Sequence, residues 1–401
     1  MPDRSALLAL IVLALPAAGG PSRPQLVPVA LAAPRGPLLP GSRFPLLRSP
    51  AAGLHFVLLG PGSLDGATYV APPQLTETAA AFVLAAGPAS IGSVQIALAP
   101  APTDPASLLA VASYDDGIAV HRRSDGKLLG IFATEGGVAD VARSGDVIFA
   151  PSTDSNVLWR LDLRTARLSQ SPGATTANEI ALAGPNAFVT QRDVGGLGAL
   201  ARIDVDQPVV RTVTGTTAEG LALDIPRNRA YVSNVNDASV VAVELNSLRV
   251  VRRYAVPERP FGIALDAKRG VLYVVSNQAA RPGVSGGRVV ALNLGDGRIL
   301  ARSKPLVFPL GVAYDPKSAR AFVTDEATGR VAILDGRTLA TVSPALKACS
   351  IPWRPALDVV HRRLYVPCAG SNALAAFDLN RLRPLAGSPY ATGGYPLGAA
   401  P

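Results

Sequence analysis

The sequence predicts an all-β protein, and three observations support this fold class. Gly contributes 38 and Pro 36 of the 401 residues, and both residue types break helices and mark turns between short strands. No convincing helical periodicity occurs after residue 20. From residue 108 to the C-terminus, a unit of four short strands repeats seven times.

A four-stranded unit that recurs with a period of about 40 to 50 residues is typical of a β-propeller. One such sheet cannot bury both of its faces alone, so it stacks radially against its neighbours. We therefore expect a seven-bladed β-propeller. Six copies carry an aromatic residue at one position of the second strand (strand B), and Val111 takes that position in the first copy. The aromatic residues are Phe149, Phe188, Tyr231, Tyr273, Phe322 and Tyr365.

Each unit opens with an inner strand, strand A, for which residues 262–266 are the template. Six copies have such a strand, and in five of them the last residue is Asp. We interpret each of these Asp residues as a turn residue, because its carboxylate can accept the backbone N–H two residues further on. The corresponding segments of the other copies are residues 136–140, 179–183, 220–224, 311–315 and 354–358.

The first copy lacks a strand A of its own. Residues 395–401 resemble the run at 260–264 that opens a blade. We therefore expect the C-terminus to supply the inner strand of the blade at residues 108–134, which removes an open sheet edge.

The chain is expected to have three parts. Residues 1–20 contain Arg4, an apolar run and then small residues, as in a secretory signal peptide, with an uncleaved anchor as the alternative. Residues 23–100 alternate as short strands between Pro and Gly turns, a sandwich pattern. The alternative is that they donate outer strands to the first blade. The propeller occupies residues 106–401, and we expect a secreted or periplasmic protein of bacteria with no transmembrane segment after signal removal.

Two segments carry resemblances to known families. Residues 229–234, 271–277 and 320–325 resemble the Tyr-Val-Thr-Asn signature of the YVTN family of bacterial β-propellers. Residues 60–72 are similar to a segment of bacterial Ig-like domains, which implies an Ig-like β-sandwich at residues 23–100. The resemblances imply the fold, but propellers host binding modules and enzymes alike.

The formal net charge of +9 could attract anionic envelope polymers, lipid head groups or nucleic acid. The Arg residues are scattered over every repeat, and no basic run is longer than two residues. Nucleic acid is therefore not expected as a partner.

The sequence offers no convincing catalytic or metal-binding set. Residues 283–287 fit the Gly-x-Ser-x-Gly pattern, but they lie between two strands rather than before a helix, and Ser285 has no predicted base. His55, His121 and His361 fall in separate features, which excludes a three-His metal site or a triad. We predict no catalytic residues, no cofactor and no metal, and hence a protein that is not an enzyme.

The loops that join strands B to C and D to A share one face of a propeller. Loops on a rigid scaffold carry recognition, so this face is the predicted ligand surface of a monomeric, non-catalytic binding or scaffold protein. Its partner would be a protein, a glycan or an envelope polymer, possibly anionic. The alternative is a lactonase-like propeller enzyme with a site in the central funnel. The candidate ligand residues are Tyr114, Arg192, Asn236, Arg259, Arg281, Trp353 and Arg354.

Cys349 and Cys368 are the only two cysteines. An even number of cysteines in an exported chain favours pairing. The entry to strand A and the exit from strand B lie at the same end of the sheet, so we predict a disulfide between them, with two buried thiols as the alternative.

Overall fold

The computed structural model describes residues 27–48, 51, 53–88, 90–204, 207–257, 259–277 and 286–401. The predicted signal peptide lies outside these residues. The described chain is almost entirely β-structure, as predicted. Its helical content is three single-turn 3-10 helices: Pro105–Ser107, Ile225–Arg227 and Ala369–Ser371. None of the helices described is long and apolar enough to cross a membrane.

Among the described residues before residue 100, seven strands form two small sheets. A four-stranded sheet has the order β1-β7-β6-β3, and a three-stranded sheet has the order β2-β5-β4. An Ig-like assignment for this region stays a prediction. The strands are β1 (Val27–Pro28), β2 (Arg43–Pro45), β3 (His55–Leu59), β4 (Ser63–Asp65), β5 (Thr68–Val70), β6 (Ala79–Gly87) and β7 (Ser90–Leu98).

The rest of the described chain forms seven consecutive sheets. We number them first to seventh in chain order. The first contains β8 (Leu108–Ser113), β9 (Gly117–Arg122) and β10 (Leu128–Phe132); the second β11 (Ala142–Ser144), β12 (Val147–Pro151), β13 (Val157–Asp162) and β14 (Arg167–Pro172); the third β15 (Ala177–Ala183), β16 (Asn186–Val194), β17 (Leu197–Ile203) and β18 (Val210–Gly215); the fourth β19 (Ala218–Asp224), β20 (Arg229–Asn234), β21 (Ser239–Glu244) and β22 (Val250–Ala255).

The remaining three sheets repeat this order. The fifth contains β23 (Pro260–Asp266), β24 (Val271–Asn277), β25 (Gly287–Asn293) and β26 (Ile299–Arg302); the sixth β27 (Pro309–Asp315), β28 (Arg320–Asp325), β29 (Arg330–Asp335) and β30 (Thr341–Lys347); the seventh β31 (Ala356–Asp358), β32 (Arg363–Cys368), β33 (Ala373–Asp378), β34 (Arg383–Pro384) and β35 (Tyr390–Ala391). The last strand is β36 (Pro396–Ala400).

The C-terminal strand closes the first sheet, as predicted. That sheet has the order β10-β9-β8-β36, with Gly398 opposite Ala112 and Ala399 opposite Val111. Ala400 lies opposite Ala110, the pairing that Ala264 makes with Tyr273 in the fifth sheet. Ala110, rather than Val111, is therefore the counterpart of the aromatic residues in strand B.

The inner strands of successive sheets contact one another around a closed path. The contacts run from β36 to β11, β15, β19, β23, β27 and β31, and from β31 back to β36. Apolar side chains fill the space between neighbouring sheets. Phe322 of the sixth sheet, for example, is fully buried in one cluster with Val366 and Phe377 of the seventh. Burial of such side chains is the main stabilising contribution of this architecture.

The N-terminal region is joined to the first sheet by backbone pairing. The Leu38 N–H donates to Ala97 O at 2.8 Å, and the Leu39 N–H donates to Ile131 O at 2.9 Å. Residue 38 thus forms bridges both to β7 and to the outer strand β10. The described residues of this region thus form sheets of their own and also pair with the outer strand of the first sheet.

The predicted register of strand A was wrong in the second copy. Residues 136–140 were assigned because they end in Asp, but the strand is β11 at Ala142–Ser144, and Ala142 pairs with Phe149. Asp140 therefore precedes the strand. The turn role is confirmed elsewhere, as at Asp315, whose Oδ1 accepts the Lys317 N–H at 3.2 Å.

Candidate functional site in the central cavity

One position of the inner strand distinguishes the seven sheets. In every sheet an inner-strand Ala pairs with the second strand, at the aromatic residue or at Ala110. We call the residue two places before this Ala the central position. In chain order it is Asp140, Glu179, Gly220, Gly262, Gly311, Arg354 and Gly398. Four copies thus have glycine, and three have a charged side chain.

Close approach of the strands explains the glycines. A Cβ atom on Gly262 would lie 2.8 Å from Leu310 O and 2.9 Å from the Cα of Gly311. A Cβ on Gly220 would lie 2.6 Å from Phe261 O. The neighbouring inner strands therefore leave no room for a side chain there. The three charged residues break this pattern.

A cavity of about 190 Å³ lies among the inner strands. Residues from all seven sheets line it, with charged groups on one part of the wall and apolar side chains on the rest. The lining residues are Asp140, Glu179, Ile180, Leu221, Gly262, Ile263, Gly311, Val312, Arg354, Pro355, Ala356 and Ala399.

Arg354 is the cation of this cavity, and all of its nitrogens have partners. Its Nε lies 2.7 Å from Glu179 Oε1, and its Nη1 donates to Ala139 O at 3.1 Å. Its Nη2 donates to Asn178 Oδ1 and lies 3.8 Å from Glu219 Oε1. The Arg354 side chain is only 12% exposed. It therefore compensates the buried carboxylates of Glu179 and Glu219, and each of its nitrogens has a protein oxygen as partner.

Arg192 is similarly engaged. Its Nε and Nη2 donate to the two carboxylate oxygens of Glu219 at 2.8 and 2.6 Å. This bidentate geometry is the strongest form of an Arg–carboxylate pair. Around the charged part of the wall, three carboxylates thus face two guanidinium groups.

The carboxylates of Asp140 and Glu179 hold the next inner strand in place. Asp140 Oδ2 accepts the Ile180 N–H at 3.1 Å, and Glu179 Oε2 accepts the Leu221 N–H at 2.5 Å. Burial raises the pKa of the Glu179 carboxyl to about 7, against the opposing charge of Arg354. Burial also raises the pKa of Asp140. Glu179 is therefore able to change protonation state near neutral pH.

The predicted ligand residues separate into two groups. Arg354 lines the charged part of the cavity, and Arg192 is connected to it through Glu219. Asn236 is exposed and donates to Thr217 Oγ1 at 2.8 Å, while the guanidinium carbon of Arg259 lies 6.0 Å from the Phe261 ring. Trp353 is half-buried and precedes Arg354.

Tyr114, also one of the predicted residues, is 39% exposed. Its hydroxyl donates to Asp154 Oδ1 at 3.2 Å, and its ring packs edge-on against Tyr395. Arg281 and Ser285 lie outside the described residues.

The sequence analysis missed Asp140, Glu179 and Glu219. The signal was present in the repeat: alignment on the Ala that pairs with the aromatic residue, instead of on the closing Asp, places Asp140 and Glu179 opposite glycines. No comparable signal marks Glu219, which comes one place before Gly220.

The histidines lie away from the cavity. His121 is fully buried, with Nδ1 2.9 Å from Gly126 O and Nε2 2.8 Å from Thr392 Oγ1, and burial lowers its pKa to about 4. His361 contacts Asp358 in a turn. In the part of the chain that the structure describes, no three His, Cys, Asp or Glu side chains are grouped so as to hold a metal ion.

The predicted disulfide is confirmed. Cys349 and Cys368 are bonded, with Cα atoms 5.8 Å apart. Cys349 lies in the connection that enters the seventh sheet, five residues before Arg354. Cys368 is the last residue of β32, so the bond joins this connection to the end of that strand.

The sequence matches no family model and no curated protein. Solved structures nevertheless share the fold. A functionally unknown protein from Desulfotomaculum acetoxidans has a TM-score of 0.59 at 12% identity, over 72% of this chain and 99% of that one. A putative 6-phosphogluconolactonase from Bacteroides fragilis has a TM-score of 0.59 at 12% identity, over 74% and 99%. The dihydro-heme d1 dehydrogenase NirN in complex with DHE has a TM-score of 0.50 at 15% identity, over 74% and 75%.

The prediction that the protein is not an enzyme is contradicted by these structures. They include a putative 6-phosphogluconolactonase and a dehydrogenase, so the fold gives no ground for excluding catalysis. The prediction rested on missing His and Ser arrangements and overlooked the carboxylates of the inner strands. At such low identity the likeness shows only the architecture, which is that of a β-propeller.

Proposed function

We propose that the protein is an exported seven-bladed β-propeller that binds a small cationic ligand in its central cavity. The carrying observation is the charged residue at the central position of three sheets, where the other four have glycine. The closed path of contacts between the inner strands supports seven blades. The disulfide supports export, because such bonds persist in oxidising compartments.

The charge distribution favours a cation. Arg192 is paired with Glu219, and Arg354 is paired with Glu179 and approaches Glu219. Asp140 and Glu179 line the cavity, so three carboxyl groups stand against two guanidinium groups, and the group of side chains has an excess of negative charge when all three are ionised. Ile180, Ile263 and Val312 supply an apolar wall. An ammonium group on a short apolar body complements both parts of the cavity.

This ligand differs from the anionic polymer that the net charge suggested. A larger partner that binds the predicted loop face would insert an amine into the cavity. A protein would do so with a lysine side chain, and a glycan with an amino sugar. We place the entrance on this face, because the central position lies near the start of the inner strands, next to the loops of that face.

Methyl NMR of Ile180 and Ile263 tests the proposal with three probes of one size: butylammonium, butanoate and butanol. At pH 8, butylammonium should shift both methyl signals in a saturable manner, while butanoate and butanol should not. The response should weaken at pH 5, because Glu179 is then protonated.

The matched variant is Asp140→Asn combined with Glu179→Gln, which keeps the side-chain shapes and removes the negative charges. It should no longer respond to butylammonium. An equal response to butanoate, or an unchanged response in the double variant, would overturn the proposal.

Acid–base catalysis at Glu179 is the second candidate, and the raised pKa favours it. A carboxyl group that titrates near pH 7 beside a cavity suits a general acid or base. Lactone or ester hydrolysis is the reaction to test, since a putative lactonase shares the fold.

A panel of lactones and nitrophenyl esters decides between the two candidates. With Glu179 as the general base, kcat/KM should rise with pH through a midpoint near 7, and with Glu179 as the general acid it should fall through the same midpoint. Either role also predicts a loss of about 100-fold or more in Glu179→Gln. Turnover that survives this substitution, or no turnover on the whole panel, would remove the catalytic candidate and leave the binding proposal standing.

A further inference from the structure

Arg354, the central residue of the seventh sheet, lies outside the regular pairing of its inner strand. The inner strands β19, β23 and β27 each have seven residues and include their central glycine. In the seventh sheet, β31 has three residues and begins only at Ala356. Regular pairing therefore does not hold Arg354 in place.

Other contacts fix this segment, and they converge on the end of β32. The Trp353 N–H donates to Pro367 O at 2.8 Å, and Pro352 forms an isolated bridge with Cys368. Ile351 adopts a left-handed conformation with φ of 52°, which is strained for a β-branched residue. The disulfide from Cys349 to Cys368 closes the segment covalently.

We propose that the Cys349–Cys368 disulfide positions Arg354 in the central cavity. By tying residues 349–353 to the end of β32, it keeps the guanidinium between Glu179 and Asn178. Without the bond, only backbone hydrogen bonds such as Ala369 N–H to Ile351 O, at 2.9 Å, oppose relaxation of Ile351 to a negative φ. Such relaxation would shift the chain that follows it. This inference rests on the central cavity being the functional site.

The charge environment of Glu179 reports the position of Arg354. The charged groups facing Glu179 are Arg354, Arg192, Asp140 and Glu219, and Arg354 makes the largest contribution that lowers its pKa. If Arg354 moves away, the remaining carboxylates and burial raise that pKa further. A disulfide that only stabilised the fold would leave it unchanged.

The experiment is a carboxyl ¹³C NMR titration of the full-length oxidised protein and of Cys349→Ala/Cys368→Ala, with Glu179 assigned through Glu179→Gln. The midpoint of Glu179 should move upward by about 1 pH unit in the disulfide variant. Arg354→Gln should give a similar shift. Adding Arg354→Gln to the disulfide variant should then produce little further change.

Phe377→Leu is the matched control, because Phe377 is buried in the same cluster as Cys368 but lies on β33. It should lower stability without moving the Glu179 midpoint. Should the double Ala variant not fold, Cys349→Ala/Cys368→Val refills the core at position 368. An unmoved midpoint in the folded disulfide variant, or an equal shift in Phe377→Leu, would overturn the proposal. Because the readout is a titration and not ligand binding, its failure is distinguishable from failure of the proposed function.

Discussion

Two arcs of the ring share one repeat and differ at one position. The fourth, fifth and sixth sheets have Gly220, Gly262 and Gly311 at the central position. The arc from the seventh sheet through the first to the third has Arg354, Gly398, Asp140 and Glu179. The glycine arc packs strand against strand, whereas the charged arc surrounds polar groups. The repeat thus builds the scaffold, and departures from it build the site.

The backbone also differs at two of the three charged central positions, whereas β15, which carries Glu179, keeps seven residues. In the glycine arc each inner strand has seven residues, but β11 and β31, in the charged arc, have three. Asp140 and Arg354 lie just before these short strands. Their segments are held by side-chain contacts and by the disulfide instead of by a full ladder of backbone hydrogen bonds.

Removal of β36, which opens the charged arc, should lower the stability of the protein more than any other change considered below. A chain that ends at Tyr395 loses β36, which pairs with β8 and brings Ala399 to the cavity wall. The first sheet then exposes an unpaired edge, and we expect a large drop in Tm by circular dichroism. Deletion of Pro401 alone, which lies after the last paired residue, is the control and should leave Tm unchanged. A truncated chain that melts like the full chain would show that closure contributes nothing.

Removal of the Arg354 charge from the central cavity should have the second-largest effect on stability. Arg354→Gln leaves Glu179 and Glu219 with less compensation in a buried site, which we expect to lower the free energy of unfolding by about 3 to 5 kcal/mol. Urea unfolding at pH 8 measures this. Arg298→Gln, which removes an exposed pair with Asp296, should have no measurable effect. Equal effects of the two substitutions would mean that the charged arc is no different from the surface.

Glu179→Gln should make the free energy of unfolding less dependent on pH. Because its pKa is raised in the folded state, Glu179 stabilises the fold fully below its unfolded value, near pH 4.5, and this contribution is lost as pH rises through about 7. Relative to wild type, the Gln variant should gain up to about 3 kcal/mol between pH 4.5 and pH 8. Urea unfolding at both pH values gives the difference, and parallel pH profiles would contradict a raised pKa.

The smallest effect is expected in the glycine arc. In Gly262→Ala the new methyl group meets Leu310 O and the Cα of Gly311, and such overpacking typically costs about 1 to 3 kcal/mol. Gly295→Ala is the control, since a Cβ there meets only the side chain of Asn293. Thermal unfolding compares them. A neutral Gly262→Ala would show that close packing is not the reason for glycine in this arc.

The repeat made much of the architecture predictable. Strand B aromatics, turn-forming Asp residues and the likeness of residues 395–401 to 260–264 predicted stacked four-stranded sheets and closure by the C-terminus. These features depend on local alternation and on turn chemistry, which a sequence displays directly. The disulfide was predictable for a similar reason, because the two cysteines belong to one sheet.

The central cavity depended on tertiary structure. Asp140 contacts the backbone of Ile180, Glu179 contacts that of Leu221, and Arg354 reaches Glu179 across the ring. Each contact joins different sheets, so local pattern says nothing about it. The net charge suggested a basic surface, but folding pairs Arg192 and Arg354 with carboxylates. The sequence determined how each blade is built, and only the closed ring decided which charges meet, because burial and proximity arise when the seven inner strands converge.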